Sequence, residues 1–335
     1  MKEATPILNW MTIVRGITIL LVVMYHTRLQ DFSTQQNYVF IDRINSPFAT
    51  LVMPAFIFFS GALLYHTRLA KGWSVGKLYL DKLVRIGCPL VFCTLVGCAS
   101  QMLFNSFVKN PHPVTPLTFL LSFVSYEDLP WPHRWYLMQL LVLMLLYPLY
   151  RYVLRRTWRI IAFGIAVTVL YFFDFTAFTS RNWFCIFTLN RYLPFFFAGM
   201  LFFHYQLWEL LRLAKVAWPI VAVYVALCIV PYETDLLRLI HNYAGIGTLL
   251  ALGLWFDRKV PTLCHSWREY VFPIYLFGIA FQAFVELILW PRLGSPRLAV
   301  PFYLLNIALG LYVPVAMSLI VKQIPVRWIR RCFGL

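Results

Sequence analysis

Charged residues are scarce in this 335-residue chain, and acidic residues are scarcest. Only 13% of the residues are charged, with 13 Asp and Glu against 29 Lys and Arg. Soluble globular domains carry about 25% charged residues, so the composition excludes a water-soluble enzyme. Hydrophobic residues make up 61% of the chain and the mean hydropathy is +0.71. These values are typical of a protein that crosses a membrane several times.

Signs of a disulfide framework, a metal site or a removable leader are also missing. No two of the seven cysteines form a CxxC pair, and most lie inside apolar segments as small hydrophobic residues: Cys88, Cys93, Cys98, Cys185, Cys228, Cys264 and Cys332. We therefore expect no metal. No small-residue cleavage site follows the first apolar run, so we expect that run to stay in the membrane as an anchor.

Long apolar runs define the architecture. Windows of about 20 apolar residues predict a bundle of ten transmembrane helices, near residues 10–29, 48–66, 86–106, 134–150, 159–176, 191–206, 216–231, 241–256, 270–289 and 300–321. No internal repeat, low-complexity tract or linker interrupts the series. The sequence therefore predicts an all-α integral membrane protein with a single domain over residues 1–335.

The basic residues indicate the orientation of this bundle. With the N-terminus inside, 20 of the 29 Lys and Arg residues fall in inside segments and nine in outside segments. That bias follows the positive-inside rule and places both termini in the cytosol. The net charge of +16 is therefore an orientation signal, and we expect no nucleic-acid partner. The expected location is the cytoplasmic membrane of a bacterium, with multiple passes.

The first predicted helix carries two ionisable residues, Arg15 and His26. Eleven steps of about 100° bring their side chains to within about 20° on the helix, about 16 Å apart along its axis. Ionisable groups inside an apolar segment are costly, which makes the pair a functional-site hypothesis. Taken singly, Arg15 could be a flanking arginine that reaches the interface, and His26 an ordinary interfacial histidine.

Two loops on the predicted outer side are long enough to carry function. Residues 30–47 follow His26 and contain Asp31, and residues 107–133 contain five prolines and the short apolar piece 118–126. That piece is too short to span and predicts a re-entrant or interfacial segment. Three arginines on the predicted outer side could hold an acceptor or pair with nearby acidic residues. The arginines are Arg134, Arg181 and Arg191, and the acidic residues are Glu127, Asp128 and Asp174.

Several motifs along the chain resemble one family in their order. They are R-x10-H in the first helix, MPAFIFFSGALL with Ser60 and Gly61, KLVR with Lys82 and Arg85, HRWYLMQLLVLMLLYPL from His133, RYLPFFFAGMLF at Gly199, and REYVFPIYLFG at Tyr275. Together they resemble the membrane-bound acyltransferase-3 family, and the resemblance covers most of the chain. One departure is Gly278, where many members have His, which puts the role of that histidine and the acceptor class in question.

The resemblance implies an O-acyltransferase that moves acetyl or other short acyl groups from acyl-CoA onto sugars and related acceptors. The expected partners are acyl-CoA as donor, a glycan or lipid-linked sugar as acceptor, and membrane lipids. A homo-oligomer is left open. A hydroxyl needs a base before it attacks a thioester, and the pKa of histidine suits that task near neutrality. His26 is therefore the expected base or, as an alternative, an acyl carrier.

The other candidate residues are assigned by side of the membrane and by motif. The phosphates of acyl-CoA call for basic residues at the inner face, and Ser60 belongs to a matched motif. The expected donor-binding residues are Arg15, Lys82, Arg85 and Ser60. The expected acceptor-binding residues, on the outer side or in the matched fourth helix, are Asp31, His133, Arg134 and Trp135.

Two other classes of function compete with this interpretation. A transporter of a small anionic or glycan-linked molecule could line its path with Arg15 and His26. The chain has no inverted repeat and no paired Gly/Pro-interrupted spans that would support transport. A non-catalytic membrane scaffold would leave the ionisable pair unexplained.

Overall fold

The computed structural model describes residues 6–31, 36–104, 114–125, 132–177, 182–230 and 233–335. Across these ranges the chain is all-helical, with two isolated bridges, Gln30–Asn37 and Ser125–Trp183, and no strand. The α-helices are α1 (Pro6–His26), α2 (Val39–Asn45), α3 (Val52–Leu64), α4 (Val75–Lys82), α5 (Cys88–Phe104), α6 (Pro116–Leu121), α7 (Trp135–Leu145), α8 (Tyr147–Val153), α9 (Thr157–Tyr171), α10 (Ile186–His204), α11 (Trp208–Leu211), α12 (Ala214–Leu227), α13 (Asp235–Lys259), α14 (Val271–Phe284), α15 (Trp290–Leu293), α16 (Ala299–Gln323) and α17 (Arg327–Cys332).

Seven helical segments of the described chain are long and apolar enough to cross a membrane: Asn9–His26, Val39–Leu69, Val75–Leu103, Ile186–His204, Asp235–Lys259, Arg268–Leu293 and Pro296–Gln323. The bent pair α7–α8 would make an eighth, and α9 and α12 are shorter apolar helices. Each of the ten predicted windows therefore overlaps an apolar helix. The all-α membrane class is confirmed, whereas the number ten and the cytosolic termini stay predictions.

The break between α7 and α8 has a local cause. The two helices meet at Leu146 at an angle of 49°, and Pro148 lies in the first turn of α8. Proline has no backbone N–H to donate and its ring clashes with the preceding turn, so a continuous helix is disfavoured there. This is why the fourth predicted span is a bent pair and not one straight helix.

Three π-helical turns interrupt the long segments: Tyr65–Leu69, Leu83–Gly87 and Val285–Leu289. Such turns are rare and occur frequently at functional sites. Each one here contains a charged side chain of the candidate site described below, namely Arg68, Arg85 and Glu286.

The chain divides into two compact units, one of Met1–Phe59 with Phe202–Gln323 and one of Ser60–Leu201 with Ile324–Leu335. Whether they make one domain stays a prediction. In the first unit α1 packs against α13, α14 and α16. Its Trp10 side chain is fully buried and stacks on Phe203 with 6.1 Å between ring centroids. Within lipid such packing is driven by van der Waals contact and interhelical hydrogen bonds.

Close approach of α14 and α16 explains the unusual glycine at position 278. A Cβ atom at Gly278 would lie 2.7 Å from the carbonyl oxygen of Gly310 on α16. Since real Cβ atoms do not approach backbone oxygens so closely, any larger residue requires the two helices to separate. The space that a histidine would need is therefore filled by the α16 backbone.

The second unit has an aromatic core around α8, α9 and α10. Tyr150 and Phe196 are fully buried with ring centroids 5.6 Å apart, and Phe163 meets Phe197 edge-on at 4.8 Å. A Cβ atom at Gly61 of α3 would collide with the carbonyl oxygen of Phe196. Glycine at this position is therefore what lets α3 lie directly on the α10 backbone.

Candidate active site

Arg15 and His26 both lie in α1, a single unbroken helix. The regular geometry of this helix keeps the two side chains on one face, as the spacing predicts. Both are half-buried. His26 is the last helical residue, and its ring packs edge-on against Tyr25 with 5.3 Å between centroids.

The end of α1 is held by a glutamine from α14. Gln282 is buried, and its Nε2 donates to the carbonyl oxygen of Val23 at 2.7 Å and to Oγ1 of Thr27 at 2.9 Å. The first of these acceptors is among the last carbonyls of the helix, which have no partner within it. Gln282 therefore satisfies the helix end on which His26 stands.

Glu286, one helical turn after Gln282, holds the backbone of Arg28, just beyond the end of α1. The backbone N–H of Arg28 donates to Oε1 of Glu286 at 2.6 Å, and Nδ2 of Asn306 donates to the same oxygen at 2.8 Å. Asn306 is itself fully buried on α16. Gln282, Glu286 and Asn306, which we call the α1 clamp, thus hold the backbone on both sides of His26, at Val23 and at Arg28.

Asp31 lies just after this clamp and is half-buried. Its backbone N–H donates to the carbonyl oxygen of Gln36 at 2.7 Å, which closes the loop onto the Gln30–Asn37 bridge. Burial, and next the charge of Asp31, raise the pKa of the nearby Tyr38 hydroxyl. Asp31 belongs to the same unit as His26, and its contact with an acceptor stays a prediction.

Four charged side chains meet at the start of the third predicted span, and we call them the Asp81 cluster. Arg85 Nε lies 2.9 Å from Asp81 Oδ1, while Arg68 Nη2 and Lys82 Nζ lie 3.3 Å and 3.9 Å from Oδ2. Three cations around one carboxylate leave an excess of positive charge. Arg85 is 67% exposed at its side chain, so one edge of the cluster lies at the protein surface.

Trp73 supports this cluster from the preceding loop. The guanidinium carbon of Arg68 lies 3.9 Å and Lys77 Nζ lies 4.5 Å from the centroid of the Trp73 ring. Such cation–π contacts attract a cation to the face of the ring and help to hold its side chain in place. The hydroxyl of Tyr147 donates to the Trp73 carbonyl at 2.9 Å, which ties the loop to α8.

Ser60 lies beside Gly61 on α3, and its hydroxyl forms a hydrogen bond of 2.9 Å with the Tyr136 hydroxyl of α7. The bond joins two of the matched motifs within the second unit. Close helix packing accounts for Gly61, whereas Ser60 carries a polar group. The contact of Ser60 with acyl-CoA stays a prediction.

The motif that starts α7 places three predicted acceptor residues differently. Arg134 is fully buried and donates to Oγ1 of Thr94 and to the carbonyl oxygen of Ser122, the latter at 3.3 Å. His133 is also buried. Trp135 is half-buried and stacks on Tyr192 with 5.1 Å between centroids. Arg134 therefore anchors the chain around α6, and acceptor contact by all three stays a prediction.

The outer arginines and acids can be placed only in part. The pKa of Asp174 is lowered by hydrogen bonds from the Thr176 hydroxyl and backbone N–H, with a smaller effect of Arg191. The Arg191 guanidinium carbon lies 5.1 Å from the centroid of Tyr171. Glu127, Asp128 and Arg181, the other residues of this hypothesis, lie outside the described residues.

The predicted site residues thus fall into two groups by unit. Arg15, His26 and Asp31 belong to the first unit, and Ser60, Lys82, Arg85, His133, Arg134 and Trp135 belong to the second. The structure brings together Lys82 with Arg85, around Asp81. In the described part of the chain no three His, Cys, Asp or Glu side chains are grouped so as to hold a metal ion.

Five residues of these clusters were not predicted: Arg68, Asp81, Gln282, Glu286 and Asn306. Gln282 and Glu286 are spaced four residues apart in an otherwise apolar helix, which puts them on one face. That spacing is a signal the sequence does contain. Their partners at the end of α1 and just after it are more than 250 residues away in the chain, so only the fold reveals what they hold.

Comparison with known proteins assigns the family. The sequence model of the acyltransferase-3 family, described as an acyltransferase domain, matches residues 8–320. No curated protein and no solved structure gives a significant match. The match covers nearly the whole chain, including α1, the α1 clamp and the Asp81 cluster. This multi-pass membrane protein therefore belongs to the acyltransferase-3 family.

Proposed function

We propose that the protein transfers an acetyl group from cytosolic acetyl-CoA to a hydroxyl group of an envelope glycan or lipid-linked sugar, in the cytoplasmic membrane of a bacterium. The observation that carries the proposal is the Arg15–His26 pair on one face of α1, in a chain whose family is defined by acyl transfer. At this spacing the arginine suits binding of the anionic acyl-CoA at one end of the helix face, and the histidine suits removal of a proton from the acceptor hydroxyl at the other end.

The donor's phosphates require cations at the inner face. The Asp81 cluster supplies three of them within 4 Å of one carboxylate, and charge-assisted hydrogen bonds to phosphate are among the strong ones. Asp81 fixes the cations in place before the donor binds, which lowers the entropy cost of binding. Arg15, on α1, then orients the thioester end of the donor.

His26 carries the chemical step. Its neutral imidazole accepts the proton of the acceptor hydroxyl, and the oxygen attacks the thioester carbonyl carbon. The tetrahedral intermediate collapses, the carbon–sulfur bond breaks, and the sulfur of CoA leaves with the bonding electrons and takes up a proton. The products are an O-acetyl ester and CoA. No metal is part of this proposal.

An acyl-histidine relay is the alternative mechanism at the same residue. In that case a ring nitrogen of His26 attacks the thioester first and the acceptor hydroxyl attacks the acyl-imidazole second. Rapid quenching after mixing the protein with radiolabelled acetyl-CoA, without acceptor, separates the two. Direct transfer leaves no label on the protein, whereas the relay leaves label that disappears in His26→Ala.

Transport is the less supported function. Membership of an acyltransferase family favours an enzyme, and no contact described above favours translocation of a solute. A transporter would move the acetylated molecule without releasing free CoA in stoichiometric amount, so thiol release distinguishes the two classes.

Mass spectrometry of envelope glycans tests the proposal in the cell. Glycans from cells that carry the intact gene are expected to contain one acetyl group per modified unit that is lost on deletion and restored by the wild-type protein. Glycans with identical masses before and after deletion would contradict the proposed acceptor class.

The α1 clamp provides a prediction for a positioning residue. Gln282→Leu removes the donor to Val23 and Thr27, so the helix end that bears His26 becomes mobile. We expect kcat to fall about 10-fold with the KM for acetyl-CoA unchanged, because orientation at the reacting group is lost and binding is not. Steady-state kinetics of the purified protein measure both constants.

Three further variants show whether the position or the charge of these residues matters. Gln139→Leu removes the side-chain oxygen that accepts a hydrogen bond from the Thr188 hydroxyl at 2.8 Å, and should lower stability by about 1 kcal/mol without changing kcat. Glu286→Gln keeps an oxygen for the Arg28 N–H and should retain activity, whereas Glu286→Leu should not. Equal losses of kcat in Gln282→Leu and Gln139→Leu would contradict a positioning role.

A further inference from the structure

A groove runs between α12 and α13 in the first unit, away from the residues discussed so far. Residues 214–221 of α12 face residues 251–258 of α13 across it, so the two helices are antiparallel there. The groove is open on one side and holds about 460 Å³, including the space at its mouth. It is too exposed to be part of the protein core and is long in the direction of the helices.

The walls of the groove are apolar and partly small. Ala217 and Val221 line it from α12, and Ala251 and Leu254 line it from α13. Small side chains on both helices leave a depression that a larger residue would fill. Because α13 is long and apolar enough to span a membrane and α12 is an apolar helix, an apolar depression between them suits an acyl chain.

One end of the groove is basic. Arg212, just before α12, and Arg258, near the end of α13, both line it, and the exposed Lys215 and Lys259 follow them in the chain. Glu209, three residues before Arg212, forms an ion pair with Arg212 Nη1 at 3.1 Å. With four basic side chains and one acidic one, the net charge at this end is positive. Arg212, Lys215, Arg258 and Lys259 all lie in segments that the sequence assigns to the inner side.

Two tryptophans border the groove near the same end. Trp218 and Trp255 are 51% and 43% exposed, and both line the groove. Tryptophan prefers the level of the lipid headgroups, where one part of the ring is in apolar surroundings and the N–H remains near water. The rings therefore place the arginines at headgroup level and the apolar walls below it.

We infer that this groove binds an anionic glycerophospholipid of the inner leaflet, with the headgroup phosphate at Arg212 and Arg258 and one acyl chain along Ala217, Val221 and Ala251. Basic pockets between membrane helices at the cytosolic side bind anionic headgroups by this logic. The apolar walls exclude CoA as the occupant, because its nucleotide and pantetheine parts are polar. The site is independent of the proposed acyl transfer.

Native mass spectrometry of the protein released from nanodiscs tests the inference. The nanodiscs contain equal amounts of phosphatidylglycerol and phosphatidylcholine, and the retained lipid is counted. The wild-type protein should retain phosphatidylglycerol preferentially. Arg212→Ala with Arg258→Ala should reduce that preference about 30-fold, since each basic residue near the surface contributes about fivefold. The control pair Arg155→Ala with Arg156→Ala removes two exposed arginines and should leave the preference unchanged.

Two further variants protect the test against misfolding. Glu209→Gln keeps the oxygen that accepts from the Trp208 indole but removes the competing charge, so it should increase phosphatidylglycerol retention. Ala217→Phe fills the groove and should abolish retention with both arginines present. Equal retention of the two lipids by the wild type, equal losses in both arginine pairs, retention unaffected by Ala217→Phe, or preferential recovery of a polyprenyl phosphate would each overturn the inference.

Discussion

Replacing His26 with alanine is expected to lower kcat for acetyl transfer by about 1000-fold, while the protein still folds and binds acetyl-CoA. The reason is that a positioned general base contributes about 10²- to 10⁴-fold to such a reaction, and His26 is the proposed base. The measurement is release of free CoA and formation of labelled ester by the purified protein in lipid vesicles.

His204→Ala is the matched control. His204 is the last residue of α10, as His26 is of α1, and it is half-buried in the same unit. We expect His204→Ala to leave kcat within about twofold of wild type, because substitutions away from the reacting groups and outside the core have small effects on stability and folding. Loss of activity in both variants, or in neither, would remove His26 from the chemical step.

The second large effect is expected at the Asp81 cluster. Removing two cations with Lys82→Ala and Arg85→Ala should raise the KM for acetyl-CoA about 100-fold with kcat nearly unchanged. Each charge-assisted hydrogen bond to phosphate contributes about 1.5 kcal/mol or more, and interactions made equally in ground and transition states change KM alone. Initial rates over a range of donor concentrations measure the effect.

A donor without phosphates makes this test specific. S-acetyl-pantetheine carries the same thioester but none of the groups that the cations are proposed to hold. Wild type and the double variant should therefore use it equally well, and Arg155→Ala should behave as wild type with both donors. If the double variant is impaired equally with both donors, the cluster stabilises the fold and does not bind phosphate.

Local features of the fold were predictable from the sequence. Apolar runs have the length of a bilayer, so every predicted window contains a helix. The eleven-residue spacing of Arg15 and His26 depends only on helix geometry, and α1 is continuous through both. What the runs could not give is where a helix breaks: Pro148 bends one span by 49°, and α9 and α12 end earlier than the apolar composition suggests.

Long-range contacts were not predictable. Gln282, Glu286 and Asn306 act on the end of α1 only because α14 and α16 pack beside it, and the contacts join residues up to 259 positions apart. Arg134 was predicted to hold an acceptor or to pair with nearby acids, which stays a prediction; its hydrogen bonds to Thr94 and Ser122 inside the second unit were not predicted. Burial of a polar side chain is set by tertiary packing, which a single sequence does not specify.

Gly278 shows the same limit from the other side. Its departure from the family pattern was visible in the sequence, but its cause was not. The α16 backbone at Gly310 occupies the space that a side chain would need, so glycine at position 278 permits close packing of α14 on α16.

The central claim is that this membrane protein uses acetyl-CoA to form an ester at a hydroxyl group, with His26 as the reacting residue. The most direct measurement follows purified protein in vesicles supplied with radiolabelled acetyl-CoA and an envelope glycan fraction. The proposal predicts that labelled glycan ester and free CoA appear in equal amounts, and that both disappear in His26→Ala. Ester formation that persists in His26→Ala, or glycan that stays unlabelled while the wild-type protein is active in cells, would contradict it.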